Sequence, residues 1–473
     1  MSDAFTRLAL AAPRPVLKAG EWWMGISLGE NKLGYLRVTA TPETVGTEKR
    51  LRQHTTTWMR TAVLGTTLEQ RIDVEELLDA NLRPLRLEVR LGSAGQWVQV
   101  KAQFHADRVE VERHAGDNVT RKTLPIPAGA NLVGDVETAL LNREVRLGET
   151  WRYTFLNIVT LALEEATIEA VRRETLTLDG TSYDTLVTHT QSPTMDATSW
   201  LLADGQPVKM VVAPGLTMVR QTREAALSGL EERPYDPSRD LATQTAVRLR
   251  GSITTPGQVR FLRLRVSGIP EPRFVLSDAR QRARIVDQGA TVTAEYTVDA
   301  EATPPAAPLT AAERAQLLAP GTYLQVDHPE IVATAREAAA GAADDAAKVR
   351  ALWRWVHENV RIQGDIGLPR SALEVLREPV GVCRDVATLY AALARAVGIP
   401  TRVCAGIVYF RDGFYYHAWA ESHADGRWLP VDPTIAPGLV DATRIKFTEG
   451  DAATIYNTAK IIGRLEAEVL EQR

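Results

Sequence analysis

The sequence predicts an α+β protein in two unlike parts. A large antiparallel β-rich region comes first, and a Cys-His-Asp domain with helices and a hairpin follows. Three observations carry this. Short runs of alternating apolar and polar residues recur through the first 300 residues. A Pro/Ala stretch at 301–308 ends that pattern. Helix-start signals begin directly after it.

The β elements follow in order. Leu33 to Val38 is the first clear candidate. Leu85, Leu87, Val89 and Leu91 alternate with polar residues, as half-buried strands do. Phe104 to Val111 reads as one strand with a slip of phase. Val145 and Leu147 lead through a Gly-containing turn into the aromatic run Trp151–Phe155. Glu165–Val171, Thr185–Thr190 and Val208–Val212 are further strands, and Asp179-Gly180 and Asp204-Gly205 are turn signals between them. These spacings suit a large antiparallel sheet or half-barrel over 1–240. His54, His105, His114 and His189 are scattered without metal-ligand spacing and read as surface or hydrogen-bonded strand residues. A shorter β module is expected over 241–300, on the alternation of Arg260–Val266 and Val292–Val298.

The linker at 301–308 then separates a catalytic-type domain over 309–473. Thr310 and Glu313 form a capping-box signature. Asp327, with Pro329 just inside, predicts a helix to about Ala340. Asp344 opens another, with Val349, Leu352, Trp353, Val356 and Val360 on its apolar face. Trp353 reads as core.

The most informative stretch is Gly381-Val382-Cys383-Arg384-Asp385-Val386-Ala387. Cys383 stands where a helix starts, since Ala387, Tyr390, Ala394 and Val397 repeat at helical spacing and Gly398 then Pro400 end the pattern. A first-turn cysteine feels the positive end of the helix dipole, which favours thiolate, and its own N–H has no helical partner and can donate to an oxyanion. Phe414–Glu421 and Trp428–Val431 read as strands joined by the turn signal Asp425-Gly426. In that register Ala424 pairs with Arg427, which brings His417 and Asp432 within diagonal cross-strand reach. Nucleophile, base and orienting carboxylate then follow in the order Cys383, His417, Asp432. Cys404, in an apolar strand, reads as an inert buried thiol. Gln363 is a candidate second oxyanion donor on chemistry alone, and Asp385 reads as a cap or loop holder.

These motifs resemble the transglutaminase-like core superfamily. The residues that carry the resemblance are Gly-Val-Cys383-Arg-Asp-Val-Ala, Ala-Leu-Ala-Arg-Ala-Val-Gly-Ile-Pro-Thr-Arg, His417-Ala-Trp-Ala-Glu and Trp428-Leu-Pro-Val-Asp432-Pro-Thr. The resemblance is specific over about 350–435. It implies a papain-like fold with Cys383 as nucleophile, His417 as base and Asp432 as orienter. The Gly-Gln-Cys-Trp context of animal transglutaminases is absent and no acidic calcium-site cluster is evident. A hydrolase of the bacterial type is therefore expected over a calcium-activated crosslinker.

Composition bounds the rest. The 473 residues suit two or three domains, and a formal charge of −4 offers no footprint for nucleic acid. Two cysteines cannot build a Cys-rich zinc site, and no cofactor is implied. No run approaches the roughly 18 apolar residues of a membrane span. Met1–Pro13 lacks a basic start and a full apolar core, so no signal peptide is read; a cytoplasmic chain and an exported, signal-cleaved chain both fit. The expected function is thiol-dependent chemistry on peptide or side-chain amides through a thioester. The competing expectation is a non-catalytic scaffold whose β-rich half binds a protein, lipid or cell-wall partner.

Overall fold

Two-residue turns with both residues at positive φ set the pleated N-terminal half. Leu64-Gly65 and Asp179-Gly180 are of this kind, the geometry that matches the twist of the flanking strands. The computed structural model describes residues 19–93, 95–134, 145–213, 215–231, 234–302, 306–364 and 367–473. The Met1–Pro13 segment and Thr303–Pro305 of the linker lie outside the described residues.

Fourteen antiparallel strands form one sheet. Gly20–Leu28 and Leu216–Gln221 pair near its middle. From Gly20–Leu28 a meander runs outward in chain order to Asn118–Pro125, and from Leu216–Gln221 the later strands run in reverse order out to Thr150–Asn157. The sheet is curved. Val98, Val100, Val109 and Val111, near one end, share a core with Leu156 and Leu161 at the other. Alternation explains the face each strand buries, as in Gln96–Phe104, where Val98, Val100, Ala102 and Phe104 point inward.

The expected continuous strand from Phe104 to Val111 is not formed. One strand ends at Phe104 and the next begins at Arg108, with His105 N–H donating to Arg108 O across the turn. The slip of phase is a hairpin turn, not a bulge.

The second sheet has five strands in the order Arg248–Arg250, Glu466–Gln472, Phe261–Ile269, Val292–Asp299, Gln281–Gln288. It therefore joins the 241–300 region to a strand beyond residue 460, across the 301–308 stretch. Leu262, Leu264, Val266, Tyr296 and Phe447 fill the core beneath it.

A third sheet of four strands, Arg427–Val431, Gly413–Ala424, Thr401–Phe410 and Ile445–Gly450, carries the site. The helix Cys383–Ala396 packs on it. Ala387, Ala391 and Ala394 share a core with Ala418, Ala420 and Ala424, and these short side chains let helix and sheet approach closely. The Thr310–Glu313 capping box is formed. Asp344 caps the helix Asp345–Asn359, which buries Val349, Leu352, Trp353 and Val356. Asp327 is not a cap: the helix Pro329–Ala338 takes His328, whose Nδ1 accepts from Glu330 N–H. Pro329 still occupies the first turn, where its missing N–H costs nothing.

The N-terminal sheet docks on the region before Cys383. Arg113 and Glu374 form a buried ion pair through contacts of 2.9 and 3.2 Å, and Arg113 also donates to Pro369 O. Gln96 reaches Glu378, and Gln70 reaches Gly367 O.

Candidate active site

Cys383 is the first residue of its helix, preceded by Val382 in extended backbone. Asp385 fastens this start: its Oδ2 accepts from Val382 N–H at 3.0 Å and its Oδ1 from Arg370 N–H at 3.4 Å. Asp385 is thus placed as a cap and loop holder. Arg384 lies half-buried alongside and donates to Leu368 O.

His417 and Asp432 come together by hairpin register. Ala424 pairs with Arg427 and Ala420 with Val431, so Asp432 follows the strand end one step from His417. The Asp425-Gly426 turn sets this register, both residues having positive φ. His417 Nε2 is 2.8 Å from Asp432 Oδ2. The other ring nitrogen, Nδ1, is the one left for the thiol, and the His417 ring is hydrogen-bonded to Cys383. The short strand Arg427–Val431 pairs only with 420–424, which leaves the edge of its partner open at Ala418. There the Ala418 N–H donates to the Cys383 sulfur.

Electrostatics follow from these contacts. Burial raises the Cys383 thiol, but the hydrogen bond and charge of His417, the Ala418 N–H and Arg384 outweigh it and hold the thiol below its usual value. Burial lowers His417, yet the Asp432 charge and hydrogen bond, with Cys383, push it up to about 10. Asp432 is buried, which raises it; His417, Arg444 and Thr434 together hold it well below the usual carboxylate range. The site therefore favours a thiolate facing an imidazolium. Cys404 contrasts: burial and the Glu421 charge push it well above the usual thiol value.

Residues 332–433 match the transglutaminase-like superfamily. That segment is a transglutaminase-like core. The match covers Cys383, His417 and Asp432 but not the N-terminal sheet. The kyphoscoliosis peptidases of Mus musculus and Homo sapiens are each 31% identical over 120 residues, which cover 22% of this chain and 18% of theirs. The alignment thus spans under a fifth of those relatives. A solved candidate cysteine protease from Cytophaga hutchinsonii is 19% identical with a TM-score of 0.30, covering 46% of this chain and 89% of that one. A β-barrel-like protein of a domain of unknown function from Brucella abortus is 10% identical with a TM-score of 0.30, covering 43% and 95%.

Within the transglutaminase-like core, Gln363 lies next to the Cys383 loop. It follows the short strand Arg361–Ile362, which runs parallel to Val380–Gly381, and its N–H donates to Gly381 O at 3.0 Å. Arg361 donates to its Oε1, which leaves the amide NH₂ as the group that can donate elsewhere.

Several residues escaped sequence reasoning. Arg444 donates to Asp432 Oδ2 at 2.9 Å from Nε and 2.7 Å from Nη2, and to Asp441 Oδ2 at 2.8 Å. Thr434 donates to Asp432 Oδ1 from both its N–H and its hydroxyl. Trp353 Nε1 and His357 Nδ1 lie within hydrogen-bond distance of Ile435 O and Pro433 O, pinning the loop after Asp432. No spacing rule ties Arg444 to Asp432, because a loop and not a strand pair joins them. Arg113 had a usable signal: it occupies an inward position among Val109, Val111 and Ala115.

Among the described residues, the carboxylates of Asp278, Glu421 and Glu449 have ligand atoms within 4.8 Å of one another. Lys446 Nζ lies 2.5, 2.8 and 2.7 Å from these three, and Arg402 pairs with Glu421 and Glu449. An ammonium group therefore stands where a bound cation would.

Proposed function

We propose that this protein is a thiol-dependent hydrolase of peptide or side-chain amides, working through a thioester, with Cys383 as nucleophile, His417 as acid and base and Asp432 as orienter. The observation that carries the reading is the His417 ring held between the Cys383 thiol and the Asp432 carboxylate. The papain-like description and the division at 301–308 belong to the same proposal.

The steps follow from the protonation states. The Cys383 thiolate adds to the amide carbonyl, and the carbonyl electron pair moves to oxygen. The Cys383 N–H, free of a helical partner as a first-turn amide, and the Gln363 side-chain NH₂ are the candidate donors to that oxyanion. Collapse breaks the C–N bond while imidazolium His417 gives its proton to the leaving amine. Water then loses a proton to His417 and adds to the thioester, and release of the carboxylic acid regenerates the thiolate–imidazolium pair. Asp432 holds one imidazole tautomer throughout. A peptide or protein is the substrate class, in keeping with the peptidase description of the 31%-identical relatives.

The test is a peptide-amide library turned over by wild type and by Cys383→Ala. Turnover that Cys383→Ala abolishes and Cys404→Ala retains supports the reading. Amine transfer in place of hydrolysis would move it to acyl transfer. A thiol inert to alkylation at mildly acidic pH, with no turnover, would favour the scaffold function.

A further inference from the structure

The β-rich half comes against the loop that follows Gln363. The strands Glu48–Val63 and Thr66–Leu78 meet in the two-residue turn Leu64-Gly65. This turn needs positive φ at both positions, which suits Asn-Gly. Leucine occupies the first at φ 51, although a bulky side chain is disfavoured there. Its side chain buries little, being 51% exposed. A strained, exposed leucine is an outlier that local stability does not account for.

The location of the turn supplies a reason. Asp240 clamps the tip, accepting from Gly65 N–H at 2.8 Å and from Leu64 N–H. The same carboxylate accepts from Tyr235 OH at 3.2 Å. On one side the hairpin abuts the residue after Gln363: a Cβ added to Gly364 would lie 3.6 Å from Thr66 Oγ1 and 3.8 Å from Val63 O. The chain that follows Asp240 returns to the His417 strand, where Val247 N–H donates to Phe414 O beside Tyr415. Tyr415 precedes His417 by two residues on the same strand, so both side chains emerge from one face. Phe410 packs edge-on against Tyr415, ring centroids 6.3 Å apart. Tyr235 and Phe410 are 50% and 48% exposed. Three separate chain segments thus bring large apolar side chains to the surface beside the His417 strand and the Gln363 loop.

We infer that Leu64, Tyr235, Phe410 and Tyr415 form a substrate subsite for a bulky apolar or aromatic side chain flanking the amide that Cys383 attacks; this rests on the thiol-hydrolase reading above. Tyr415 shares its strand with His417, Leu64, Tyr235 and Phe410 are exposed, and a bound side chain would cover surface otherwise left in water. Leu64, Tyr235, Phe410 and Tyr415 are specificity-determining and not catalytic.

The test uses the full chain. Peptide amides with Phe or Leu beside the amide are compared with Ser and Asp counterparts, for wild type, Leu64→Asn and Phe410→Ser. Wild type should favour the apolar peptides by about tenfold or more in kcat/KM, and each variant should reduce that ratio severalfold. Asn tolerates the left-handed region better than Leu, so Leu64→Asn should unfold at the same temperature or higher. Alkylation of Cys383 by a small probe should be unchanged in both variants. The inference is overturned if wild type treats the two peptide classes alike, if both variants keep the wild-type ratio, or if Cys383 alkylates normally but no apolar peptide is turned over. If Cys383 itself fails to alkylate, the thiol-hydrolase reading falls, and the subsite with it.

Discussion

Arg113→Met should loosen the grip of the N-terminal sheet on the transglutaminase-like core. The Arg113 and Glu374 side chains are 5% and 10% exposed, so their ion pair has little solvent screening. Each has further partners: Arg113 donates to Pro369 O, and Glu374 accepts from Ser371 N–H. Removing Arg113 alone strands a buried carboxylate, and breaking such a pair costs about 3–5 kcal/mol. Glu374→Gln strands the guanidinium and should cost a similar amount. The double variant leaves no buried charge unpaired and should recover much of the loss. A double-mutant cycle by denaturant unfolding should then give a coupling energy of about 2 kcal/mol or more. The Cys383 loop should respond as well. Leu368 O and Arg370 N–H on the docked segment bond Arg384 and Asp385, so Arg113→Met should slow Cys383 alkylation while Glu374→Gln/Arg113→Met partly restores it. Single losses below about 1 kcal/mol that simply add would refute the argument, and would mean that water reaches this pair in solution.

Alkylation of Cys383 should persist below the pH at which an ordinary thiol stops reacting, since its thiolate is stabilised; the imidazolium that pairs with it is lost only as pH rises through about 10. Stability follows the same groups in opposite senses. The His417 contribution is full below its unfolded value of roughly 6.5 and disappears as pH rises through about 10, whereas that of Asp432 is present above roughly pH 4 and disappears as pH falls through its depressed value. Unfolding monitored across pH in wild type and His417→Ala would separate the two. In peptide turnover, His417→Ala should be as damaging as Cys383→Ala and the double no worse than either, with Asp432→Asn milder; additive losses would contradict a unit. Arg444→Met removes a cation that competes with His417 for Asp432 and should raise the upper pH limit of His417, read from the alkylation profile. A fragment beginning near 305 should be poorly soluble, because the strand Glu466–Gln472 loses both neighbours, whereas one beginning near 245 keeps them.

What the sequence disclosed depended on how local the signal was. The Asp425-Gly426 turn specified the hairpin, and with it the approach of His417 to Asp432, because register in a two-residue hairpin follows from the turn. The helix at Cys383 was legible from its own period and its Gly398 terminator. Arg444 was not, since it reaches Asp432 from a loop that obeys no period. The Phe104–Val111 misreading has a physical cause: the turn His105–Asp107 has no glycine, and the alternation resumes on its far side. The five-stranded sheet was only half visible, because its second strand lies some 200 residues from the partners it joins, and pairing at that separation leaves no local pattern. Arg113 and Glu374, 261 residues apart, share the same difficulty.

The strand Glu466–Gln472 also imposes an order on biosynthesis. It sits between Arg248–Arg250 and Phe261–Ile269, and Phe261–Ile269 therefore keeps an unsatisfied backbone edge until the ribosome has passed Gln472. At the usual 5–20 residues per second, the wait after Asp299 is on the order of 10–30 s. During that time an apolar strand with an open edge is exposed to neighbouring nascent chains, a recognised route to aggregation. The Cys383 helix and the His417 strand are translated within this interval. A ribosome that stalls between residues 432 and 466 would therefore release a chain with its thiol, histidine and aspartate already synthesised but the adjoining sheet unclosed, so that quality control by chaperones and proteases bears on the nucleophile before catalysis does.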